Sequence, residues 1–122
     1  MGKRILVIED TEDNRQIIRD LLTSFDYELL EAVDGAEGVA MAEAHHPDLI
    51  LMDIQLPVLD GYEATRRIRA IPELARVPIV AVTSYALSGD EAKTREAGCD
   101  GYIAKPFSPR QLLAKVREFL PE

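Results

Sequence analysis

The chain has 122 residues, 47% hydrophobic and 30% charged, with a formal net charge of −8 and one cysteine. That is the size and mixture of one globular domain with room for a core, and the acidic balance excludes the basic face with which nucleic-acid binders displace counterions. A single cysteine, Cys99, excludes an intrachain disulfide, and no apolar run is long enough to cross a membrane.

The first apolar run, RILVI at 4–8, follows a basic start, but its apolar stretch is too short for a secretory signal, so a cytoplasmic location is expected. It shows no alternation, as in a strand buried on both faces, and ends in Glu9-Asp10. Ile17, Ile18, Leu21, Leu22 and Phe25 then recur on one helical face, behind Glu12 and Asp13, acids that suit a helix start. YELLEA (27–32) is a more polar strand and reads as a sheet edge. Asp34-Gly35 opens an Ala-rich helix with Val39, Met41 and Ala42. His45-His46 reads as its solvated end, without metal-ligand spacing.

DLILM (48–52) is the third strand and delivers Asp53 at its end, followed by Gln55 and Asp60-Gly61. A bare carboxylate at the end of so apolar a run needs compensation or a purpose. The next helix holds Tyr62, Thr65 and Ile68; Arg66, Arg67 and Arg69 read as solvating its exposed face. IPELARVP (71–78) is a long polar connection. VPIVAVT (77–83) is the fourth strand and ends in Thr83-Ser84. SGDEAKTREAG has Ser88 at its start and Gly98 at its end, as helix caps prefer, and Cys99 beyond it reads as a small buried packing residue. GYIA (101–104) is the fifth strand and ends in Lys105-Pro106. Ser108-Pro109 opens a last helix whose apolar face is Leu112, Leu113, Val116 and Leu120.

Five repeats of strand and helix predict an α/β fold, a three-layer doubly wound (βα)5 with a five-stranded parallel sheet. Right-handed crossovers leave few topologies, and 2-1-3-4-5, the flavodoxin-like order, is the common one. In that order strands one, three, four and five are neighbours. Their carboxyl ends bring Glu9, Asp10, Asp53, Thr83 and Lys105 toward one crevice. Clustered carboxylates repel unless a cation joins them, and a hard divalent ion such as Mg²⁺ suits oxygen donors. A cation, an ammonium and a hydroxyl beside a carboxylate can stabilise a phosphoryl group, with Asp53 as nucleophile.

With Glu9-Asp10, the LILMDIQLPVLDG block around Asp53, Thr83, and GYIAKPF with Tyr102, Lys105 and Pro106, the chain resembles the receiver domain of two-component response regulators over nearly its whole length. The resemblance is to the CheY-like superfamily, single-domain and DivK-like in type, and implies one receiver domain over 1–122. A receiver excised from a hybrid histidine kinase or multidomain regulator is the alternative. The resemblance implies that Asp53 is the phosphoacceptor and that Lys105 contacts the phosphoryl group. It implies Mg²⁺, with Mn²⁺ as a substitute, held by Asp10, Asp53, the Gln55 backbone carbonyl and Glu9 through water. A cis peptide is implied between Lys105 and Pro106. Thr83 and Tyr102 are the implied switch, which remodels the face of helix four, strand five and helix five. Gln55 and Tyr85 would tune dephosphorylation, with Tyr85 shielding the acyl phosphate. Expected partners are a histidine kinase or histidine phosphotransfer protein, docking beside Asn14, Arg15 and Phe107, and a downstream protein target. The expected state is a monomer or weak homodimer, with no nucleic acid and no membrane. The protein is expected to be a phosphoacceptor with slow self-phosphorylation and self-dephosphorylation, not an enzyme.

Three other readings fit less well. A haloacid-dehalogenase-type phosphatase wants an acid two residues past its nucleophile, where this chain has Gln55. A flavin binder wants a hydroxyl- and glycine-rich loop after strand one, where EDTED would repel a phosphate. A purely structural interaction module predicts neither Mg²⁺ dependence nor phosphorylation.

Overall fold

The computed structural model describes residues 2–83 and 90–121. The strands are β1 (Arg4–Ile8), β2 (Glu28–Ala32), β3 (Leu49–Asp53), β4 (Ile79–Thr83) and β5 (Gly101–Ala104). The helices are α1 (Glu12–Thr23), α2 (Gly35–His45), α3 (Gly61–Arg69), α4 (Asp90–Ala97) and α5 (Pro109–Phe119). All the pairings are parallel, in the order β2-β1-β3-β4-β5. This is the predicted doubly wound sheet. The Ser88 helix start and Tyr85 lie outside the described residues.

Every residue of β3 and β4 is buried, as their unbroken apolar runs require. Successive side chains point to opposite faces, so each strand feeds two cores. Ile5, Val7, Leu51 and Val82 meet Ile18 and Leu22 of α1 and Leu112 and Val116 of α5. Leu6, Ile8, Met52 and Ala81 meet Ala42 of α2 and Ala64 and Ile68 of α3 on the other side. Each large aliphatic side chain so buried contributes about 1.5–3 kcal/mol of transfer free energy. β2 is the half-buried edge that its polar sequence suggests.

Local chemistry sets the helix ends. Asp34 and Asp60 accept the N–H groups of Glu37 and Glu63 at 2.7 and 2.9 Å, capping α2 and α3. Ser108 and Gln111 form a reciprocal capping box on α5. Gly98, at φ +115, turns the chain out of α4.

Three expectations need correction. The connection at 71–78 is not simply polar: Pro72–Leu74 form a 3₁₀ turn, and Leu74 is buried beneath it. Ile17 is not a core residue; it is 57% exposed, because α1 turns only Ile18 and Leu22 fully inward. Arg69 does not solvate a surface as Arg66 and Arg67 do. Its guanidinium donates to the carbonyls of Gly98, Leu74 and Val77 at 2.9, 3.1 and 2.6 Å, and to Asp100 at 2.6 Å. Asp100 also accepts the Ile79 N–H at 2.9 Å, so the pair brackets the end of α3, the start of β4 and the end of α4.

Candidate functional site

Strand order makes the site. β1, β3, β4 and β5 are adjacent, so their carboxyl ends open together. Asp53 ends β3 and is 4% exposed. Its Oδ1 accepts the Gln55 N–H at 3.0 Å, and its Oδ2 accepts Lys105 Nζ at 3.2 Å. Glu9, directly after β1, is 2% exposed. Its Oε1 accepts the same ammonium at 2.9 Å, and its Oε2 accepts the Thr11 N–H at 3.1 Å. Asp10 is exposed, yet one oxygen from each of Glu9, Asp10 and Asp53 lies within 4.8 Å of the others. Thr83 ends β4, buried, one residue beyond the Val82 that sits in register with Asp53. Its carbonyl accepts the Lys105 N–H at 2.7 Å, which fixes the chain just before the cis Lys105-Pro106 peptide.

One ammonium thus serves two buried carboxylates, with a third nearby. Burial pushes the Asp53 carboxyl up to about 6, and the negative charge of Glu9 adds to the push; the Gln55 N–H and Lys105 oppose it. Glu9 feels the same burial, but the hydrogen bonds from Lys105 and Thr11 outweigh it and hold Glu9 below the usual carboxylate range. Burial alone would lower Lys105, but Glu9 and Asp53 overcome it and keep its ammonium charged. Converging carboxylate oxygens with too little positive charge between them fit a hard divalent cation taking oxygen donors, Mg²⁺ in particular.

The loop after Asp53 is held tightly. The Leu59 N–H reaches back to the Pro57 carbonyl at 2.7 Å across Val58, whose φ is +69. This is a γ-turn of the rare positive-φ kind, and Val58 is 85% exposed at its tip. Gly61 then passes so close to β3 that a Cβ would meet the Asp53 carbonyl and come within 2.6 Å of Ile54 Cα.

Asn14 and Phe107 line a cavity of about 520 Å³ beside Lys105, with Ile17 at its edge. Arg15 does not join that surface. Its side chain is 11% exposed and is taken up by Glu9, Glu12 and Glu31. The sequence did not reveal this because Glu31 lies on β2, 16 residues away in the chain; the i,i+3 spacing of Glu12 and Arg15 was its one local signal. Tyr102, half-buried on the edge strand β5, borders a cavity of about 250 Å³ with Lys115 and Glu118 of α5. Cys99 is buried as expected; burial raises its thiol, and the Thr65 hydroxyl lies 3.7 Å from its Sγ.

Across residues 5–117 the sequence matches the family profile of the response regulator receiver domain. The chain belongs to that family. The receiver is 41% identical to the polar-differentiation response regulator DivK of Brucella ovis over 120 residues, 98% of each chain. It is 42% identical to the receiver domain of a sensor histidine kinase from Pseudomonas aeruginosa PAO1, with a TM-score of 0.92 over 100% of both chains. That structure has a magnesium ion coordinated in its active-site cleft. Chemotaxis protein CheY4 of Vibrio cholerae is 27% identical, with a TM-score of 0.93 over 98% of this receiver and 99% of that chain. The receiver is therefore CheY-like in fold and DivK-like in sequence, a module of two-component signalling. Among the described residues, no helix is long and apolar enough to cross a membrane.

Proposed function

We propose that this receiver accepts a phosphoryl group on Asp53 from a histidine kinase or histidine phosphotransfer protein, with Mg²⁺ in the acidic cleft. The observation that carries this reading is the buried Asp53 carboxylate, paired with Lys105 and within 4.8 Å of Glu9 and Asp10 oxygens. An Asp53 oxygen attacks phosphorus as the phosphorus–nitrogen bond of the donor imidazole breaks, and the bonding electrons leave with that nitrogen. Asp10, Asp53, the Gln55 carbonyl and Glu9 would hold Mg²⁺ or Mn²⁺, which supplies charge neutralisation for the phosphoryl oxygens. Lys105 moves from carboxylate to phosphoryl partner, and the Thr83 hydroxyl donates to a phosphoryl oxygen. Tyr102 turns inward behind Thr83 and alters the α4–β5–α5 face, which engages a downstream protein. Self-phosphorylation from small donors and self-dephosphorylation are slow side reactions of the same site. The receiver works in the cytoplasm as a monomer or weak homodimer.

The donor protein docks on the apolar cavity beside Lys105, touching Asn14 and Phe107. The 42% identity to the receiver of a sensor histidine kinase supports a second reading, in which the donor is a kinase on the same polypeptide. The chemistry at Asp53 is the same in both.

The test is intact mass after incubation with acetyl phosphate, with and without Mg²⁺, for the wild type and Asp53→Asn. A Mg²⁺-dependent gain of one phosphoryl group, absent in the variant, is expected. No gain from acetyl phosphate or from a phosphorylated phosphotransfer protein would overturn the reading. Replacing Asn14 and Phe107 by charged residues should slow transfer from the protein donor and leave labelling by acetyl phosphate intact.

A further inference from the structure

A charged network lies beneath the β1–α1 loop, and Arg15 is its centre. One terminal nitrogen of Arg15 donates to the backbone carbonyl of Glu9 at 2.6 Å. The other donates to Glu12 Oε1 at 2.7 Å, and Nε lies 3.3 Å from Glu31 Oε1. One turn further along α1, Arg19 donates twice to Glu31, at 2.7 Å each. Glu31 sits on β2 in register with Val7 of β1, so the network ties the edge strand, α1 and the acidic loop together. The Glu31 carboxyl is held below its usual range, first by the hydrogen bond from Arg19 and then, against burial, by the charges of Arg19 and Arg15. It stays an anion and keeps orienting both guanidinium groups.

We infer that Arg15 is a positioning residue for the metal-binding acid pair Glu9-Asp10. The inference rests on the reading that the cleft takes Mg²⁺. The Glu9 carbonyl belongs to the rigid peptide plane that joins Glu9 to Asp10. Holding that carbonyl holds the plane that carries the Asp10 N–H and Cα, and so restrains where the exposed Asp10 side chain starts. Lys105 and the Thr11 N–H hold the Glu9 carboxylate at the same time. A planar guanidinium fork holds such an arrangement better than a lysine ammonium, whose charge is a single flexible point. Arg15 meets Glu9 through the backbone carbonyl and spends its other nitrogens on Glu12 and Glu31, so it acts through the loop.

The sign of one measurement separates this role from mere proximity. Arg15 carries a positive charge beside a cation site. As a bystander it repels the metal, and its neutralisation tightens binding. As a positioning residue it aligns the ligands, and its loss weakens binding. The experiment is calorimetric titration of Mg²⁺ into the full chain as wild type, Arg15→Gln and Arg15→Lys, at one ionic strength. Circular dichroism checks the fold, and Arg15→Lys retains the charge should Arg15→Gln unfold. Both variants are expected to bind Mg²⁺ about ten-fold more weakly, the scale of supporting residues around metal ligands. The Thr11 amide should also exchange its hydrogen faster in the metal-free variants. Unchanged binding in Arg15→Lys with tighter binding in Arg15→Gln overturns the inference alone. No binding by the wild type overturns the Mg²⁺ reading first and takes the inference with it.

Discussion

Asp53 holds its proton up to about pH 6, against an ordinary 3.8, mainly because burial penalises its charge. The unfolded chain has no such penalty. Between about pH 4 and pH 6 the native protein therefore binds more protons than the unfolded one, and stability falls as pH rises through that window. Above it the full cost of an ionised Asp53 is present. Asp53→Asn carries no charge at any of these pH values. It should exceed the metal-free wild type in stability by about 3 kcal/mol at pH 7.5, and the gap should close below about pH 4. Urea unfolding of both proteins across that range is the measurement; an equal gap at every pH would mean that burial of the charge is not the cause.

At the level of elements, α3 packs directly on the Asp53 backbone at Gly61. Gly61→Ala forces a methyl against the Asp53 carbonyl and Ile54 Cα, backbone atoms that cannot rotate away. It should cost at least about 2 kcal/mol by overpacking, read as a lower urea midpoint, and should also slow labelling by acetyl phosphate. The strands that frame this contact were legible in the sequence for a physical reason. Unbroken runs such as Leu49–Met52 and Ile79–Val82 leave no polar face, so a sheet covered on both sides is their natural home. The convergence of Glu9, Asp10, Asp53, Thr83 and Lys105 then followed from strand order. The misreadings share a cause as well. Arg15 was expected at a docking surface and Arg69 on a solvated face because their partners are remote in sequence or are backbone carbonyls. Helical spacing shows which side a residue faces, and these arginines face other elements of the fold. Ile17 failed differently: it lies beside the buried Ile18 but faces the cavity next to Lys105.

On the scale of the whole molecule, the acidic cleft is a local defect in an otherwise well-packed domain. Three neighbouring carboxylates, two of them sharing one ammonium, repel one another in the folded state. A divalent cation bound there would relieve that repulsion only while the chain is folded, which would link binding to stability. Mg²⁺ at a hundred times its dissociation constant should stabilise the receiver by about 2.7 kcal/mol, seen as a rise in melting temperature. The rise should shrink markedly in Asp10→Asn, which removes a ligand without disturbing the core. An equal rise in that variant would place the ion elsewhere.

The Arg69–Asp100 bracket bears on how α4 can move. It moors the carboxyl end of that helix to the start of β4 and to α3, at the end of the sheet opposite Asp53. A rod pinned at one end swings rather than slides. The eight residues of α4 make a lever of about 12 Å. A tilt of about 10° about the fastened end would displace the opposite end by about 2 Å. The fulcrum is far from the cleft, and any such tilt would carry furthest the amino end of α4.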